Sequence, residues 1–146
     1  MINMSQFPNM FKFLDITTSD VAFEAYGKDL NELFANSALA MFEVMTNTKQ
    51  IKTTVEKSVK IQSKDLEGLL FEWLNELLVF YGAENLAFSK FELKIDNKTL
   101  ELEAKCWGEE INPEKHETKT EVKAATYHKM KVEKNEIWKA RVILDV

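Results

Sequence analysis

The chain has 146 residues, 45% apolar and 29% charged, with four Gly, two Pro and one Cys. That mixture suits one folded domain over residues 1–146 with a sizeable core, and excludes collagen-like, linker-dominated and disordered chains. A net charge of −5 argues against independent nucleic-acid binding, and a lone cysteine excludes an internal disulfide or a multi-cysteine zinc site.

Met1 to Met10 lacks the basic start and apolar stretch of a signal peptide. No apolar run approaches the ~20 residues of a membrane helix. A reducing cytoplasm and no membrane are therefore expected. Next, Asp15 and Asp20 flank Ile16-Thr17-Thr18-Ser19. Short polar side chains there bond the local backbone and suit a turn; the same oxygens also suit a hard cation.

Val21, Phe23 and Ala25 alternate with Ala22, Glu24 and Tyr26, the period of a strand. Leu30, Leu33, Phe34, Ala38, Met41, Phe42 and Met45 recur at helical spacing, and Asp29 with Glu32 reads as an N-cap and capping-box partner. Val55, Val59 and Ile61 give a second strand. A broad apolar stripe over Ser63 to Tyr81 gives a second helix, with Gly82 as its stop. Phe91, Leu93 and Ile95 then turn through Asp96-Asn97-Lys98 into Leu100, Leu102, Ala104 and Cys106, a hairpin. Asn97-Lys98-Thr99 matches a glycosylation sequon but reads as that turn. Glu109 to Glu121 is a polar loop. Val122 to Val132 and Ile137 to Val146 complete the set. Two amphipathic helices among six to seven strands, without regular alternation, predict an α+β fold on mainly antiparallel sheet.

Few residues carry chemistry. Phosphate loops, nucleotide fingerprints, zinc spacings and nucleophile elbows are absent from the sequence. Alternation puts His128 on a face with Val122, Ala124, Thr126, Met130 and Val132, as a hydrogen-bonded core histidine. His116 reads as a solvated loop residue, with a site role as the alternative. Cys106 reads as a small buried hydrophobe. The Ala124-Ala125 pair is unusual inside a strand and implies close approach of another element. Lys123 falls on the opposite face, with Ala125, Tyr127, Lys129 and Lys131, where a basic stripe suits either solvent or an acidic partner. If the last strand stays paired, the Val146 carboxylate sits beside Asp145 in an oxygen-rich corner; the plain alternative is a solvated strand end. Asp15, Asp20 and Asp145 around a metal-activated water would make a hydrolase, and a chaperone-like binding module is a third class.

Glu121-Val-Lys-Ala-Ala-Thr-Tyr-His128, preceded by Trp107-Gly-Glu and Lys115-His116-Glu117, resembles the archease family. Phe13-Leu14-Asp15 leading to Asp20-Val21, Tyr26-Gly27, Ala38-Leu-Ala-Met-Phe42, Leu74-Asn75-Glu76-Leu77-Leu78 and the Asp-aliphatic end agree in order along the chain. The family's start, Asp-His-Thr-Ala-Asp, is here Asp15-Ile-Thr-Thr-Ser-Asp20, one residue longer and without the His. The resemblance implies a protein cofactor, not an enzyme. Its partner would be an RtcB-type RNA ligase of tRNA splicing, whose guanylylation and turnover it promotes and whose nucleotide use it broadens. It also implies a divalent metal, taken in the family to be calcium, on the residues matching Asp20, Asp145 and Val146. Lys123 matches the motif lysine.

Overall fold

A computed structural model describes residues 10–16 and 19–146. The reading of residues 1–9, and Thr17-Thr18 of the Asp15–Asp20 turn, fall outside them. The elements are β1 (Phe11–Leu14), β2 (Val21–Gly27), α1 (Leu30–Met45), a short 3-10 turn at Thr48–Gln50, β3 (Val55–Gln62), α2 (Leu66–Glu84), β4 (Leu86–Asp96), β5 (Glu101–Glu110), β6 (Ala124–Lys134) and β7 (Trp138–Asp145). They build two antiparallel sheets, ordered β1-β2-β7-β6 and β3-β5-β4, the α+β class expected from the periodicities.

Both helices start where short acidic side chains can take orphan amide protons. Asp29 accepts from the Glu32 N–H at 2.8 Å, and Asp65 from the Gly68 N–H at 2.6 Å. Helix α1 packs on β2 and β4, and so joins the two sheets; α2 lies mainly along β6. Its buried Trp73 donates Nε1–H to the Phe34 carbonyl of α1 at 3.0 Å. One continuous apolar core results, running from Phe11 and Phe23 through Phe42 and Trp73 to Val142 and Leu144.

Helix α2 does not stop at Gly82. It runs on to Glu84, because Asn85 takes the left-handed cap (φ 55°) and its side-chain amide donates to the Ile111 carbonyl at 3.0 Å. Strand β4 begins at Leu86, well before the alternating stretch from Phe91, since its first three residues are buried and leave no alternation to read.

Gly108 shows why the Trp-Gly-Glu string needs a glycine. It pairs with Val55 and Phe88 beside the register shift between Phe88 and Lys90. A Cβ there would overlap the Ala87 carbonyl oxygen. Gly108→Ala is expected to cost about 3 kcal/mol through forced backbone movement. The measurement is the urea midpoint; an unchanged midpoint would show that the sheet yields freely at this bulge.

Candidate functional site

The register carries distant acidic residues to one corner. Strand β7 lies between β2 and β6, pairing Val21 with Leu144 on one side and Ala124 with Asp145 on the other. Asp20, the residue just before β2, is thereby brought to the end of the sheet that carries Asp145. The Lys123 N–H donates to the Asp145 carbonyl at 2.8 Å. Asp20, Asp145 and Lys123 therefore share one end of the sheet, and all three are exposed. The side chain of Val146 packs against the core, which anchors the residue next to Asp145.

Asp15 and Asp20 also line a cleft of about 480 Å³ with Ile16, Ser19, His128, Lys129 and Ile143. Two carboxylates and the Lys129 ammonium share its lining. Ile143, buried but outside the continuous core cluster, also lines it. Among the described residues no three His, Cys, Asp or Glu side chains cluster closely enough to hold a metal ion. Asp15, Asp20 and Asp145 thus do not form a hydrolase-type triad. The side-chain donors that Asp20 and Asp145 bring to the corner are hard carboxylate oxygens.

His128 is a correction. It is exposed, not in the core. Tyr127 to Met130 stand opposite Val142 alone, and Lys129 takes a left-handed backbone (φ 56°). Such a bulge breaks period two, so Ala125 and Met130 turn inward while His128 turns out. The lysine stripe is corrected too: Ala125 is buried and does not share a solvent face with Lys123, which precedes the strand. The small Ala124-Ala125 pair does mark close approach. Asn75 of α2 accepts from the Ala125 N–H at 2.9 Å and donates to its carbonyl at 3.1 Å. An amide within an apolar helical stripe was the sequence signal for that contact.

His116 is buried rather than solvated. Its Nδ1 accepts from the Asn112 N–H at 2.9 Å, so the Nε2–H donates to Glu109 at 2.9 Å. Glu109 also accepts from the Lys52 N–H at 2.8 Å. The ring clasps its loop to β5 and lies apart from the acidic corner. That Lys52 hydrogen bond, then His116 and Lys115, hold the Glu109 carboxyl below its ordinary value of 4.5. The stabilisation from ionised Glu109 is therefore complete above that value and lost as pH falls through the lower folded value. Glu109→Gln keeps an acceptor but does not titrate. The stability gap between wild type and Glu109→Gln should narrow on acidification below pH about 4. A gap independent of pH in chemical denaturation would refute the clasp's electrostatic part.

Cys106 is buried, as expected, and burial pushes its thiol up to about 12. It is an inert packing residue. Among the described residues no helix is long and apolar enough to cross a membrane.

Residues 11–146 match the Archease protein family. The chain is 50% identical over 123 residues to protein archease of Sulfurisphaera tokodaii, covering 84% of this chain and 88% of that one. It is 49% identical over 139 residues to protein archease of Methanothermobacter thermautotrophicus, covering 93% and 98%. The solution structure of Methanobacterium thermoautotrophicum protein 1598 superposes with a TM-score of 0.81 at 48% identity, covering 94% of this chain and 99% of that one.

Proposed function

The chain belongs to the archease family, and from that premise we propose that it is a cytoplasmic protein cofactor that activates an RtcB-type tRNA-splicing RNA ligase. It promotes transfer of GMP to the ligase and repeated turnover, broadens the nucleotides accepted, and has no ligase activity of its own. The observation that carries this reading is the convergence of Asp20, Asp145 and Lys123 at an exposed sheet end. The sequence offers no nucleotide-binding loop, so GTP chemistry belongs to the partner.

Asp20, Asp145 and the Val146 carboxylate would hold a divalent cation, calcium being the ion expected of hard oxygen donors. Bound there, it supplies a compact positive charge that offsets carboxylate repulsion. The chain's own groups do the rest. Two carboxylates and a lysine, fixed by a β ladder, present a preorganised electrostatic surface to a partner active site and need little reorganisation on docking. Lys123 offers an ammonium to an anionic group of the ligase or its nucleotide.

A time course of radiolabelled GMP transfer to a cognate ligase tests the proposal. The chain should accelerate labelling roughly tenfold or more, the scale of a coupling free energy of about 1–3 kcal/mol. Equal rates with and without it would refute the cofactor role. Labelling of the chain itself would refute its non-catalytic character.

A further inference from the structure

The bulge beside the acidic corner has a geometric cause on α2. Strand β6 is an edge strand, so its outward amides need partners or solvent. Two of them are taken by helix side chains. Asn75 accepts from the Ala125 N–H and donates to the Ala125 carbonyl, while Glu67 accepts from the Val132 N–H at 2.9 Å. Asn75 is itself held by a second donation, to the Phe71 carbonyl at 3.0 Å. The two anchors lie eight residues apart on α2, or about 12 Å along its axis. On β7, the ladder partners of Ala125 and Val132 are Leu144 and Ala140, which are about 13 Å apart in extended strand.

The helix and the inner strand thus agree in length. The seven steps of β6 between the same anchors would need about 23 Å if extended. Chain fixed at both ends must shed the excess, and it does so where Tyr127 to Met130 oppose Val142 alone and Lys129 turns left-handed. The Tyr127 hydroxyl reaches Asp65 at 3.3 Å, and its ring meets Phe71 edge-on. The extruded segment therefore leans on α2 at one side and supplies His128 and Lys129 to the cleft wall at the other.

We propose that Asn75 and Glu67 are positioning residues, a two-point clamp that extrudes the Tyr127–Met130 bulge and holds Lys123 and Lys129 in place beside Asp20 and Asp145. The clamp acts through β6 and touches no substrate. Its functional half rests on the ligase-activation reading; its geometric half does not. Asn75 is the critical anchor, because Ala125 lies two residues from Lys123, whose amide is tied to Asp145.

The test pairs amide hydrogen exchange of the isolated chain with ligase guanylylation measured across a range of cofactor concentration. Asn75→Ala should raise exchange at Ala125 by about tenfold or more while amides between β2 and β7 keep their protection. At a temperature where the variant is fully folded, it should lower the maximal stimulation severalfold with little change in the half-saturating concentration. Glu67→Ala should do the same at Val132, and Glu67→Gln, which keeps an acceptor, should restore both protection and stimulation. Protected Ala125 in Asn75→Ala overturns the clamp. So does an exposed Ala125 with undiminished maximal stimulation, which leaves Asn75 merely structural. A wild-type chain that stimulates no ligase refutes the ligase reading instead, and the exchange arm then decides the clamp alone.

Discussion

Lys119→Met is expected to destabilise the fold by about 1–2 kcal/mol, because a buried carboxylate loses a charged donor whose own side chain lies partly in solvent. Its partner Glu43 sits near the end of α1 and is only 4% exposed. The carboxylate takes the Lys119 ammonium at 2.8 Å, the Thr48 hydroxyl at 2.7 Å and the Thr48 N–H at 3.1 Å. Backbone bonds add to the junction: the Lys119 N–H donates to the Met45 carbonyl and the Thr120 N–H to that of Val44. Thr46 Oγ1 donates to the Glu117 carbonyl at 2.7 Å. The pair thus ties the chain entering β6 to the first helix. Methionine fills the stem's volume but leaves the Glu43 charge without its cation. The double variant Glu43→Gln/Lys119→Met removes both charges and keeps Thr48 satisfied, so it should regain a good part of the loss. Urea denaturation of the two variants decides this. A single-variant loss under about 0.5 kcal/mol would mean that the pair behaves like an exposed one.

The helices were legible because an apolar stripe at helical spacing has one physical meaning, burial of one face. Asp29 marked the start of the first through a short carboxylate that caps an amide, whereas the cap of the second, Asp65, lies inside the stretch read as helix from Ser63. The ends were less legible. Gly82 suggested a stop, yet a left-handed cap needs only one residue that tolerates positive φ, and Asn85 supplies it with an added bond to Ile111. Period two located the strands but misplaced His128, since alternation assumes an unbroken ladder and β6 is bulged. His116 looked solvated because its neighbours are charged; local composition carries no trace of its half-buried partner Glu109. The union of Asp20 with Asp145 was least legible from the residues themselves. It depends on the register between β2 and β7, which are far apart in the chain, and only the resemblance to a family placed both residues at one site.

Asp145→Ala should abolish ligase stimulation and return GMP transfer to the rate seen without the chain, as expected when a preorganised charged group is removed from a site. Asp20→Ala should match it, because Asp20 lies at the same end of the sheet, one residue before the Val21–Leu144 pair. Neither change should unfold the protein. Both side chains are exposed at strand ends, where substitutions generally stay within about 0.5 kcal/mol. On the proposed metal site, calcium that binds only the folded state should raise the melting temperature of wild type and not of Asp145→Ala. Extending the chain by a few residues beyond Val146 separates the third ligand from the other two. It leaves every side chain in place but carries the carboxylate away from the corner. Calcium affinity and stimulation should then fall together. Unchanged affinity would exclude Val146 as a ligand, whereas full stimulation by Asp145→Ala would keep the partnership with the ligase and discard this corner as its instrument.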